Sequence, residues 1–176
     1  MFNNLKIYKS QQINNIVVYF LKSHSQSKKN YLNLSKGLND NSIGIKELEG
    51  TGYRDLLKVN NTSDENLLLV NGEQIIGHQV KQNRVVASTS LIQSNSEAIV
   101  YVSCGEKNRW SSSTNQEVKT ADTMFFSRNT LGDQNLLWSQ IDKQLDYYGI
   151  KSFTKDAAHV YDKNKLTVNK IVEEFK

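Results

Sequence analysis

The sequence predicts an α+β fold: a β-rich, antiparallel, sandwich-like core followed by C-terminal helices. Three observations predict it. Through the first hundred positions, short apolar runs recur about every ten residues between turn-forming Asn, Gly, Asp and Ser, the rhythm of an antiparallel sandwich or barrel. One later segment breaks that rhythm, with apolar residues three and four apart, the period of a helix. A composition of 38% hydrophobic and 23% charged residues over 176 positions suits one folded domain with a sizeable core.

In chain order, the strands expected are 16–21, 31–34, 43–48, 56–60, 67–70, 74–76, 84–87 and 98–103. Asn71-Gly72 reads as a two-residue hairpin turn, because both residues tolerate positive φ. Leu67-Leu68-Leu69-Val70 is apolar on both faces, as a central strand would be, and Ile99, Tyr101 with Val100, Val102 give the same two-sided reading. The polar stretch 111–123 reads as a loop. Over 134–148, Leu137, Trp138, Ile141, Leu145 and Tyr148 define a helix, with Asp133 to cap its start and Gly149 to end it. A last helix is expected after Thr167, with Leu166 and Ile171 as its hydrophobic staple and Ile171, Val172 and Phe175 packed inward. Because that helix runs to Lys176, the expectation is a single domain over 1–176, shortened at its C-terminal end.

Charge and cysteine content narrow the function classes. The net charge of +4 is spread along the chain, and the densest basic run is Lys28-Lys29, so nucleic-acid binding is not expected. Cys104 is the one cysteine, which excludes an internal disulfide and an all-cysteine zinc site. No metal site is expected, since the histidines lack ligand spacing and Asp122 and Asp142 stand alone. Gly72, Gly77 and Gly105 do not open a helix as a phosphate loop does, and no cofactor is implied. The apolar run 16–21 is too short for a signal segment, and nothing approaches the ~20 apolar residues of a membrane span. A soluble, cytoplasmic protein with no membrane partner is expected.

Two polar clusters flank a hydrophobic strand pair. Gln82, Asn83 and Arg84 precede one strand; Cys104, Glu106, Arg109 and Trp110 follow the next. In a hairpin they would meet at one end of the sheet. Gln82, Asn83 and Arg84 offer amide and guanidinium donors, and Arg grips a phosphate bidentately. Arg109 repeats that chemistry, and the Trp110 face can stack a nicotinamide or adenine ring. The alternative is structural, with Arg84 in a surface ion pair and Trp110 capping the sandwich. Glu73 and Glu106 are acid–base candidates if burial or a neighbouring charge shifts their pKa. Glu106, bracketed by Lys107 and Arg109, is equally suited to a salt bridge. Cys104 needs a histidine base to act as a nucleophile, and only His78 lies near in sequence. A packed, inert thiol is its alternative.

The run IKELEGTG…LLKVNNTSDENLLLVNGEQIIG…KQNRVV, followed by AIVYVSCGEKNRW, resembles a family named for association with ADP-ribosylglycohydrolases and rhodanese-phosphatases, the ARPP family. Gly72-Glu73, Lys81-Gln82-Asn83-Arg84, Val102-Ser103-Cys104, Glu106 and Arg109-Trp110 carry the resemblance, over roughly 43–148. The segment between Gly77 and Lys81, with His78 and Gln79, is longer than the family pattern. The resemblance implies a β-rich domain in NAD and ADP-ribose metabolism, with no settled reaction. The expected ligand is therefore an ADP-ribose or NAD-derived nucleotide. The alternatives are a non-catalytic protein-interaction module, in which Arg and Trp grip a protein partner, and a viral or mobile-element protein that sequesters a nucleotide signal.

Overall fold

A computed structural model describes residues 5–23, 30–48, 55–76, 82–108, 132–160 and 173–175, and the backbone of 119–121. The chain divides into two compact units: Met1–Asn30 with Asn164–Lys176, and Tyr31–Lys163.

The first unit contains an antiparallel ribbon, β1 (Leu5–Ile13) and β2 (Ile16–Ser23), joined at Asn14 and Asn15. Asn14 takes the left-handed conformation (φ 53°) that a tight reversal needs. The sequence signal reaches β2 and misses β1, where Lys, Ser and Gln break up the apolar residues. The pairing register slips between Ile7 and Lys9.

The second unit holds β3 (Tyr31–Asn33), α1 (Leu34–Asn39), β4 (Ile43–Glu47), β5 (Leu56–Asn61), β6 (Asn66–Leu69) and β7 (Gln74–Ile76). These are followed by β8 (Arg84–Val86), β9 (Ser90–Ile92), β10 (Ser96–Cys104), β11 (Lys119–Ala121) and α2 (Gln134–Tyr147). A six-stranded sheet in the order β11-β7-β8-β10-β5-β4 is antiparallel throughout. A three-stranded sheet, β3-β6-β9, contains one parallel pair, β3 with β6. The expected α+β, β-rich and predominantly antiparallel fold is present.

Inward residues of both sheets make the main core, among them Ile45, Leu57, Val59, Leu67, Leu69 and Val102. A second cluster joins Val85 of β8 to Leu137, Ile141 and Leu145 of α2. Full burial of each of those helix side chains contributes roughly 1.5–3 kcal/mol, enough to hold α2 in place. Since Val86 belongs to the first cluster and Val85 to the second, β8 is covered on both faces.

Several local readings are corrected. Asn71-Gly72 does turn the chain, with the Glu73 N–H donating to Val70 O at 3.0 Å and Gly72 at φ 93°. It joins strands of different sheets, however, so it is a corner and not a hairpin. Residue 34 begins α1 instead of ending a strand, because the Asn33 side chain caps the helix by accepting from the Lys36 N–H at 2.8 Å. Ile99 and Tyr101 are 59% and 65% exposed while Val100 and Val102 are buried, so β10 has one wet face along that stretch. Residues 119–121, expected in a loop, pair with β7. In α2 the Asp133 side chain accepts from the Leu136 N–H at 2.9 Å and Gly149 has φ 63°, as the sequence implies. Of the expected last helix, Glu173 and Glu174 are helical; Leu166, Ile171 and Val172 lie outside the described residues.

Candidate functional site

The described members of the two polar clusters converge: Gln82, Asn83 and Arg84 with Cys104 and Glu106. β8 and β10 are antiparallel neighbours in which Arg84 faces Cys104 across the ladder, and Ile75 of β7 flanks Arg84 on its other side. Although β9 intervenes in sequence, the start of β8 and the end of β10 share one end of the sheet. Eight polar or charged side chains are buried among the described residues: Asn61, Gln74, Gln82, Asn83, Arg84, Ser103, Glu106 and Asp156. All but Asn61 lie on β7, β8 or β10, within two residues of those strands, or in the Asp156 turn. Burying a polar group costs free energy unless it is paired, so this concentration marks a specialised region.

Arg84 is its centre. The residue is 5% exposed, and its guanidinium reaches Glu47 at the end of β4. Nη2 donates to Glu47 Oε1 at 2.7 Å, forming an ion pair, and Nη1 lies 2.7 Å from Cys104 Sγ. Nε is buried and has no hydrogen-bond partner among the described residues. The surface cation considered from sequence is thus a core guanidinium whose Nε has no partner among the described residues.

Around it the chain is knitted together. The Gly105 N–H donates to Asn83 O at 2.7 Å, and a Cβ at Gly105 would stand 3.2 Å from that oxygen, so the close approach favours glycine. Asn83 Nδ2 donates to Asp156 Oδ2 at 3.0 Å, while Asp156 Oδ1 accepts from the Ala158 N–H at 2.8 Å and caps the helical turn that follows. The Ala157 N–H donates to Gly105 O at 2.9 Å. The Gln134 side chain treats Cys104 as a strand neighbour, accepting its N–H at 2.6 Å and donating to its carbonyl at 2.9 Å. Among the described residues β5 pairs with β10 as far as Tyr101, and this amide continues the hydrogen bonding of β10 at Cys104.

The electrostatics disfavour the nucleophile. Burial pushes the Cys104 thiol up; Arg84 opposes the rise, and Asp55 and Glu47 reinforce it. Desolvation outweighs the lowering by the neighbouring guanidinium, and the sulfur stays a thiol at neutral pH. Burial also raises Glu73, against the Val70 N–H that donates to Glu73 Oε2 at 2.8 Å. Its carboxyl locks the corner at the start of β7, beyond the Gln74–Val85 pair. Glu106 is buried two residues past Cys104, so the two acid–base candidates do not share a site.

Gln82, Asn83, Arg84, Cys104 and Glu106 are thus brought together and buried. Arg109, Trp110 and His78 lie outside the described residues. Sequence reasoning missed Glu47, Gln134 and Asp156. Asp156 carried a readable signal, since an Asp before Ala157-Ala158 is a helix cap. Glu47 and Gln134 carried none, because their partners are 37 and 30 residues away. No group of three or more His, Cys, Asp or Glu side chains able to hold a metal ion occurs among the described residues. No described helix is long and apolar enough to cross a membrane.

Residues 4–176 match the ARPP-1 family, the ARG and Rhodanese-Phosphatase-superfamily-associated Protein domain, and the chain belongs to this family. The match extends well beyond the stretch 43–148 that carries the sequence resemblance. No curated protein and no solved structure matches the chain.

Proposed function

We propose that the shared end of β8 and β10 binds an ADP-ribose or another NAD-derived nucleotide, and holds it instead of transforming it. The observation that carries this reading is Arg84: a guanidinium fixed by Glu47, with its Nε donor unpartnered among the described residues, beside buried amides and carboxylates. A pre-positioned guanidinium loses little freedom when it meets a phosphate or ribose oxygen. Arg109 and Trp110 follow β10 closely in sequence and supply a second cation and a stacking face. Holding is preferred to turnover because burial keeps the Cys104 sulfur a thiol. A cytoplasmic setting, where such nucleotides are plentiful, suits the reading.

The test is thermal unfolding of the full chain with NAD, ADP-ribose and cyclic ADP-ribose isomers. A ligand at a hundred times its Kd adds about 2.7 kcal/mol. For a chain of this size that raises Tm by roughly 5–10 °C. No shift with any of them overturns the proposal. A second reading, a protein partner, is favoured by the exposed Ile99 and Tyr101 on the wet face of β10. It predicts that Tyr101→Ala weakens partner capture and leaves nucleotide shifts unchanged.

A further inference from the structure

The basic residues are not spread as evenly as the overall charge suggests. The first 39 residues contain six lysines and no Asp or Glu, which leaves 16 basic against 18 acidic residues in the other 137. The whole positive excess therefore lies in the N-terminal stretch that includes the β1–β2 ribbon. Such asymmetry points to a polyanionic partner.

The ribbon focuses this charge on one face. In a regular strand Lys6 and Lys9, three apart, would point to opposite sides. The register slip between Ile7 and Lys9 returns Lys9 to the side of Lys6, so that Lys6 faces Lys22 and Lys9 faces Phe20. Lys22 Nζ stands 5.7 Å from the Tyr8 ring and Lys9 Nζ 5.8 Å from the Phe20 ring, which puts both aromatics among the lysines. Tyr8 is 73% exposed and Phe20 40%. Two lysines directly opposite each other are destabilising, and the ribbon itself has no acid to offset them.

We infer that this face, made by Lys6, Lys9, Lys22, Tyr8 and Phe20, binds single-stranded nucleic acid. Lysines meet the phosphates while exposed rings stack on bases, which are open to stacking only where they are unpaired. The aliphatic Ile7 and Leu21 pair on the opposite side of the ribbon, so an anionic membrane would engage a different face from the lysines. The inference is independent of the nucleotide site.

The test measures fluorescence anisotropy of a short labelled oligothymidylate with the full chain across a salt series. Three phosphate contacts predict a slope of log affinity against log salt near −2. Combined Lys6→Gln, Lys9→Gln and Lys22→Gln should weaken binding at least tenfold and flatten the slope. Tyr8→Ala should weaken it about fivefold or more, and Tyr8→Phe should restore it. The inference is overturned by no binding, by equal binding of the triple variant, or by a preference for duplex. It is also overturned if phosphatidylserine vesicles bind through Ile7 and Leu21 while the oligonucleotide does not bind.

Discussion

The β1–β2 ribbon and the β8–β10 pair are both antiparallel ladders, and they use polar side chains in opposite ways. In the ribbon, lysines stand in water, a like-charged pair faces itself across the strands, and Tyr8 is largely exposed. At the end of β8 and β10, Arg84 is buried and held by Glu47, and Asn83 by Asp156. The same backbone geometry thus serves an exposed charged face in one region and a rigid internal network in the other. What separates them is cover. The ribbon's strands are open to solvent, whereas β8 is packed by the core on one face and by α2 on the other.

The contrast can be broken most forcefully at Arg84. Arg84→Ala should destabilise the fold by about 3 kcal/mol in denaturant unfolding, because it breaks a largely buried ion pair. That figure is the low end for a buried pair, since Glu47 keeps partial solvent contact. A loss under about 1 kcal/mol, the range of exposed pairs, would place Arg84 with the ribbon lysines. A surface reading of Arg84 from sequence leads to that smaller figure; its burial reverses the expectation.

A smaller effect is expected at Gln134. Gln134→Ala leaves the Cys104 N–H and carbonyl without the side-chain amide, and should cost about 1–2 kcal/mol by the same measurement. Gln134→Glu keeps the acceptor for the N–H but loses the donor to the carbonyl, so it should fall between wild type and alanine. If alanine is neutral, α2 is held to the sheet by the packing of Leu137, Ile141 and Leu145 with Val85 of β8.

The smallest effect belongs to the ribbon. Lys22→Gln should change stability by no more than about 0.5 kcal/mol, and in the stabilising direction, because it relieves the Lys6–Lys22 repulsion. Added salt should shrink the difference by screening the pair. A clear destabilisation would mean that the ribbon lysines hold structure, as Arg84 does.

The sequence by itself determined much of the local structure. Strands β4 to β8 and β10 follow from their apolar runs, and α2 follows from its period, its Asp133 cap and Gly149. It also pointed to one sheet end for Arg84 and Cys104, because antiparallel neighbours place the start of one strand beside the end of the other. These are short-range consequences of side-chain period and turn chemistry. Tertiary structure alone decided the rest. β1, β9 and β11 are strands because partners complete their ladders, and their own residues carry too little apolar signal to announce them. Arg84 became a core residue because Glu47, 37 positions earlier, meets it across the curved sheet. The Cys104 thiol is pushed up because burial outweighs the neighbouring guanidinium. Lys9 joined Lys6 because of a register slip that no single-strand pattern encodes. Burial and register belong to pairs of distant segments, and desolvation decides the charge chemistry only once those pairs have formed.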